Sequence, residues 1–260
     1  MNIRLKILLK RLLRKVGIGI TGSGGGTKSE GRTNADFDRG FLKNMPPEHA
    51  SFLSNLLRKS EAQLRQDLFV LSALNLKSGG YFVELGAGDG MHFSNTYLLE
   101  KELEWTGILA EPAKCWHGDL RNNRSCLIDT SCIWKRSGDE VLFNETNNSL
   151  LSTIDSYSAR DFHKEARANG RKYSVTTTSL IDLLDRNGAP QSIDYLSIDT
   201  EGSEFDILAA FDFARYEFGV ITCEHNYTSD RKRIHSLLTA HGYVRKFKNI
   251  SKFDDWYVRA

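Results

Sequence analysis

Proline and cysteine are both scarce in this chain, with four of each in 260 residues. So little proline excludes long proline-rich linkers. The cysteines, Cys115, Cys126, Cys132 and Cys223, form no CxxC pair. Three of them lie in apolar stretches that read as strands, so free buried thiols are expected. Nothing demands an oxidising compartment. Long apolar runs are also missing, which excludes a bilayer-spanning segment. Charges interrupt every turn of residues 1–20, so no export signal is legible there. The expected location is the cytoplasm, extending to the inner face of the membrane.

Charge of one sign is missing over the body but not at the start. Residues 1–16 carry Arg4, Lys6, Lys10, Arg11, Arg14 and Lys15 and no acid, while the whole chain is only +2. The remainder is therefore net acidic, and no nucleic-acid partner is expected for it. Leu5, Leu8, Leu9, Leu12 and Val16 fall near helical spacing between the basic residues. This pattern predicts a basic amphipathic arm over 1–20, with residues 1–16 making peripheral contact with an anionic membrane. A glycine- and serine-rich stretch follows, predicting a flexible linker over 21–44. The folded domain is expected over 45–260.

Hydrophobic residues make up 40% of the chain, enough for a sizeable core. Residues 47–76 have helical patterning. Short apolar runs then alternate with amphipathic segments. Tyr81–Leu85, Gly107–Ala110, Cys126–Ile128, Ile193–Ile198 and Phe218–Cys223 read as buried strands. The segments 95–103, 113–123, 179–187, 203–210 and 229–241 read as helices. Such alternation predicts an α/β fold with a doubly wound, mostly parallel sheet. Val141–Phe143 and Ser174–Thr177 read as extra strands, and Tyr243–Phe247 with Trp256–Arg259 as a closing antiparallel pair.

The first strand ends in Glu84-Leu85-Gly86-Ala87-Gly88-Asp89-Gly90. Glycine permits a sharp turn and close approach of a ligand, and strand tips are where doubly wound sheets bind ligands. The spacing is GxGxG rather than the GxGxxG of dinucleotide sites. A methionine-bearing nucleoside needs no pyrophosphate cradle, and its positive sulfonium and ammonium are offset by an acid such as Glu84. Glu111 ends the second strand, 21 positions after Gly90, where a carboxylate accepts hydrogen bonds from both ribose hydroxyls. Asp129 ends the third strand, which places it near the adenine.

Acids are densest after the fourth strand, in Asp199-Thr200-Glu201-Gly202-Ser203-Glu204. The fifth strand ends in Glu224-His225-Asn226. Neighbouring tips would gather Asp199, Glu201, Glu224 and His225. His225 is the natural general base. Asp199 and Glu224 also form an oxygen-rich site for Mg²⁺ or Mn²⁺. Glu204 reads as a helix cap.

These blocks in order resemble the FkbM family of methyltransferases. The resemblance runs from Gln63 to Tyr243. It rests on Gly80–Ala87, Ser94-Asn95-Thr96, Trp105–Pro112, Ser179–Leu184 and Ile193–Glu204. It implies a Rossmann-like class I fold with a seven-stranded, mostly parallel sheet flanked by helices, and S-adenosylmethionine as donor. It also implies O-methylation, most often of a sugar, glycan or glycolipid hydroxyl. Carried over, Glu84, Gly86 and Gly88 belong to the cofactor loop, Glu111 to the ribose contact and Asn95 to the amino-acid end. Asp89 stands where relatives often have Asn and is given no role. A reductase reading fails on the glycine spacing, and Tyr97 and Lys101 of its YxxxK pattern fall on the first helix. An inactive methyltransferase-like module tethered to a membrane is the other alternative.

Overall fold

A computed structural model describes residues 27–260 of the chain. The expected arm over 1–20 lies outside the described residues, as does the first part of the expected linker. The rest of that linker is corrected. Thr27–Asn44 is a helix, α1. Phe37, Phe41 and Met45 recur every fourth residue, so one face is apolar. Phe41 and Met45 are buried, with Phe37 and Leu42 packed beside them. The folded body therefore begins before residue 45.

The single helical pattern over 47–76 resolves into α2 (Pro47–Leu56) and α3 (Gln66–Ala73). Pro47 opens α2, where a missing N–H costs nothing. Arg65, in the left-handed region at φ 63°, separates the two. The α3 helix is buried almost all round.

The main sheet contains β1 (Tyr81–Leu85), β2 (Thr106–Ala110), β3 (Leu127–Asp129), β8 (Ser192–Ile198), β9 (Glu217–Glu224), β10 (Tyr243–Lys246) and β11 (Asp254–Arg259). Its order is β10-β11-β9-β8-β1-β2-β3. Pairs from β9 to β3 are parallel, and β11 runs antiparallel to both of its neighbours. Side chains alternate between the faces of a strand. Val83 and Leu85 enter one core cluster, and Phe82 enters the other. Both faces are thus filled, which is why these strands are almost continuously apolar. The third strand is an edge, and its Leu127 is exposed.

Five helices connect or cover these strands: α4 (Tyr97–Leu103), α5 (His117–Asn123), α7 (Leu180–Arg186), α8 (Glu204–Ala209) and α9 (Asp230–Ala240). Ser179 caps α7 by accepting the Asp182 N–H at 3.1 Å. A second sheet lies between β3 and β8 in the sequence. It contains β4 (Cys132–Trp134), β5 (Glu140–Glu145), β6 (Thr153–Ile154) and β7 (Arg171–Ser179), in the order β4-β7-β5-β6. A short helix, α6 (Lys164–Arg167), precedes β7. This sheet buries its own small cluster of Ala113, Trp116, Cys132, Phe143, Ile154 and Tyr157. The four cysteines are free: Cys132 and Cys223 are buried, Cys126 is half-buried and Cys115 is exposed. No helix among the described residues is long and apolar enough to cross a membrane.

Candidate active site

The chain reverses its direction of winding between β1 and β8, and their tips meet. The Leu85 carbonyl accepts the Asp199 N–H at 3.0 Å. Gly86 has φ +83°, and a Cβ on it would stand 1.8 Å from the Asp199 carbonyl oxygen. Only glycine fits there. The loop it begins forms one wall of a cleft also lined by Ala110, Glu111, Pro112, Trp116, Ile133, Phe143 and Leu150. An adjoining pocket, which shares Gly86, Gly88, Leu150 and Asp199 with this cleft, is lined by Glu84, Ala87, Phe93 and Ser94.

Glu111 is buried in this cleft. Its carboxylate accepts the Gly88 N–H and the Ala113 N–H, each at 2.7 Å. Burial raises its pKa to about 7, and these two N–H groups limit the rise. Each oxygen retains a lone pair for a ribose hydroxyl. Glu84 is also buried. It accepts hydrogen bonds from Ser94 Oγ, the Asn95 N–H and Thr96 Oγ1 at 2.8, 2.8 and 2.5 Å. It thereby fixes the turn leading into α4. Asn95 Nδ2 donates to Ser197 Oγ at 3.0 Å, tying the same turn to β8. Arg124, fully buried, completes this support. It donates to the Gly90 carbonyl, Ser94 Oγ, Thr96 Oγ1 and Glu100. Burial would raise the Glu100 pKa, but the Arg124 guanidinium together with hydrogen bonds from the Ser125 N–H and Cys126 brings it down to about 2.

Asp129 is not brought to the cleft. Its carboxylate accepts the Ser131 N–H and pairs with Arg186. The expectation that it sits near the adenine is corrected, because a short edge strand turns its last side chain toward α7. Cys132 and Ile133 line the cleft instead. Trp116, Ile133, Phe143 and Leu150 were not singled out from the sequence. Their signal there is only that of apolar residues after the second and third strands.

Three carboxylates do converge. Ligand atoms of Asp199, Glu201 and Glu224 all lie within 4.8 Å of one another. Glu201 has φ +60°, and such a conformation in a non-glycine residue costs on the order of 1–3 kcal/mol. Three hydrogen bonds hold Glu201 and its loop in place. Arg167 donates to its Oε2 at 2.8 Å, and Glu204 accepts the Thr200 and Gly202 N–H groups at 2.9 Å each. Glu204 thus braces the loop before α8 rather than capping the helix, which corrects its reading as a cap; the N-cap residue is Ser203, and it makes no side-chain cap hydrogen bond. Burial raises its pKa to about 7, and the neighbouring Glu224 and Glu201 add to the rise. Asn226 donates to Glu224 at 2.6 Å and to Glu201 at 3.3 Å.

His225 is placed beside the cluster but is engaged elsewhere. Its Nδ1 accepts the Tyr227 N–H at 3.0 Å, so the neutral ring carries its proton on Nε2. That nitrogen faces Asp255 at 3.7 Å. No lone pair is left for an acceptor proton, which corrects the expectation of His225 as the base.

A second cavity opens on the far side of the cluster. It is lined by Tyr157, Arg160, Glu201, Glu224, His225, Asn226 and Thr228, among others. Glu201 lines both this cavity and the first cleft.

The family model of the methyltransferase FkbM domain matches residues 84–245. The chain belongs to the FkbM methyltransferase family. It is an enzyme that transfers methyl groups from S-adenosylmethionine, with the class I fold. The matched span starts at Glu84 and takes in Gly86, Gly88, Glu111, the acidic loop and the tip of β9. Solved structures similar to the chain include the following three. The FkbM methyltransferase of Methylobacillus flagellatus is 10% identical, with 97% of this chain and 70% of that chain covered and a TM-score of 0.45. A precorrin-6y C5,15-methyltransferase of Geobacter metallireducens is 16% identical, with 74% and 84% covered and a TM-score of 0.38. A TehB-like methyltransferase of Corynebacterium glutamicum is 10% identical, with 82% and 97% covered and a TM-score of 0.38. No curated protein matches the chain.

Proposed function

We propose that this methyltransferase methylates a hydroxyl group, with a sugar, glycan or glycolipid as acceptor. One observation carries the reading. Glu201, with Asp199 and Glu224 around it, stands between the cleft and the second cavity. The cleft takes the cofactor, and the polar cavity takes the acceptor. Gly86 and Gly88 admit the cofactor close to the backbone, and Glu111 receives the ribose. Glu84 and Asn95 shape the turn at its amino-acid end. When bound, S-adenosylmethionine supplies a methyl group already activated by its sulfonium.

The residues of this chain then have two tasks. They align the acceptor oxygen and take up its proton. Asp199 is the base in this reading. Glu201, held by Arg167, and Glu224, held by Asn226, hydrogen-bond the acceptor's other hydroxyls. His225 positions the loop through Tyr227 and Asp255. Asp199→Asn should lower turnover by roughly 10²–10⁴-fold with cofactor affinity nearly unchanged. Calorimetry with the donor, beside a methyl-transfer screen over sugar-bearing acceptors, tests this. Loss of donor binding in Asp199→Asn would place the acidic loop on the donor side and overturn the assignment.

Residues 1–16, outside the described residues, are assigned to peripheral membrane contact at the cytoplasmic face. Each basic residue near an anionic surface contributes about 1 kcal/mol. Equal binding to anionic vesicles with and without the arm would rule this out.

A further inference from the structure

We propose that Tyr173 and Glu145, both on the second sheet, are positioning residues for the donor: they grip the loop after β2 so that the Glu111 carboxylate is already set for the ribose when S-adenosylmethionine arrives. The proposal rests on the reading of Glu111 as the ribose contact.

The loop from Glu111 to Cys115 has left the ladder of β2, and its backbone polar groups still need partners. Side chains supply them. The Tyr173 hydroxyl accepts the Lys114 N–H at 3.2 Å. Its own proton goes to Glu145 Oε2 at 2.9 Å, with the Pro112 carbonyl oxygen beside it at 3.4 Å. The same Glu145 oxygen accepts the Cys115 N–H at 3.2 Å. His117 Nε2 donates to the Glu111 carbonyl oxygen at 2.9 Å. The Ala113 N–H goes to the Glu111 carboxylate itself. Each residue from 111 to 115 is thus held through its backbone. Two of the grips come from side chains 59 and 30 positions further along the chain.

The second sheet brings these two side chains together. Tyr173 on β7 pairs with Phe143 on β5, and Glu145 lies two residues beyond Phe143, on the same face. Phe143 lines the cofactor cleft, and its ring lies 5.7 Å from the Tyr173 ring. The Lys114 ammonium stands 4.5 Å from the centre of the Tyr173 ring. Tyr173 thus joins a residue of the cleft wall to the loop it holds. A loop ordered beforehand spares the donor the entropy of ordering it. Glu145 also brings a charge, which adds to the rise that burial causes at Glu111. Other titratable groups about Glu111 include Glu84 on β1, Cys132 on β4, and Cys115 and His117 just after it in the chain. Glu145 therefore does two separable things. Its oxygen holds the loop, and its charge delays the ionisation of Glu111.

The test uses the full chain, with S-adenosylmethionine binding measured by calorimetry below and above pH 7 and thermal unfolding of the same samples. Tyr173→Phe should weaken donor binding by about three- to tenfold at every pH, the loss of one or two hydrogen bonds. Glu145→Ala should weaken it to a similar degree. Glu145→Gln keeps an acceptor oxygen but not the charge. Its affinity at high pH should return close to the wild-type value, and the pH at which affinity rises should fall. A merely structural role would move Tm but not that midpoint. Wild-type affinity in both Tyr173→Phe and Glu145→Ala overturns the proposal. So does an unmoved midpoint in Glu145→Gln. Glu111→Gln separates this proposal from the reading beneath it. Weaker binding in that variant, with no effect of Tyr173→Phe or Glu145→Ala, removes the grip alone, whereas unchanged binding in Glu111→Gln removes the ribose contact as well.

Discussion

At the scale of the residue, Glu111 and Glu204 carry the most testable electrostatics. Burial moves both from 4.5 to about 7. A carboxyl raised in the fold contributes stability below its unfolded pKa and loses it as pH rises through the folded value. The cofactor-free protein should therefore become less stable between about pH 4.5 and pH 7, visible as a falling Tm in unfolding scans across that range. Cofactor affinity should move oppositely. Ribose hydroxyls donate to the ionised carboxylate, so affinity should rise as pH passes through about 7. Glu111→Gln should weaken binding and flatten its pH dependence in calorimetry. An equally steep profile in that variant would assign the ribose contact elsewhere.

Gly86 makes a steric prediction at the same scale. A methyl group there meets the backbone of Asp199, so Gly86→Ala should cost roughly 3 kcal/mol or more and spoil cofactor binding. Gly118 is the control, with nothing within 4 Å of an added Cβ and a place in a helix. Gly118→Ala should be neutral or stabilising by up to about 1 kcal/mol. Denaturant unfolding of the two variants checks the contrast.

At the scale of the element, legibility followed burial. The parallel strands were plain in the sequence because both of their faces are covered. The third strand was displaced by a residue, since an edge strand lacks the continuous apolar run. The strands β4 and β6 have three and two residues and leave no pattern to read. Helix α1 was hidden by its glycine, serine and threonine, whose local preferences oppose the tertiary packing of Phe41. Strand tips also held the residues that the fold brings together at the candidate site: Gly86, Glu111, Asp199, Glu201 and Glu224. Side-chain direction was not legible, so Asp129 and His225 were placed by position and misassigned by chemistry. Arg124 and Arg167 were missed because a buried guanidinium reads like any surface charge.

At the scale of the molecule, α1 joins the N-terminal part of the body to its last strand. Phe41 meets the Trp256 ring edge-on at 6.4 Å, and Phe69 stacks on the same ring at 4.8 Å. Deleting residues 1–26 should leave the thermal transition of the body in place. Deleting 1–45 should uncover this cluster, and Phe41→Ala alone should cost about 3–5 kcal/mol. Identical Tm values for the two truncations would show that α1 adds nothing to the core.

The place of β11 in the sheet has a consequence for synthesis. It lies between β9 and β10, both of which precede it in the chain. While the ribosome is still short of Asp254, β9 has an open flank, and the Trp256 slot between Phe41 and Phe69 is unfilled. An open flank of a hydrophobic strand is a template for pairing with another chain. Nascent chains arrested before residue 254 should thus remain protease-sensitive and bind chaperones, and protection should appear abruptly once Arg259 has left the exit tunnel. This edge of the sheet is completed late, by a strand that follows both of its neighbours in the chain and is inserted between them.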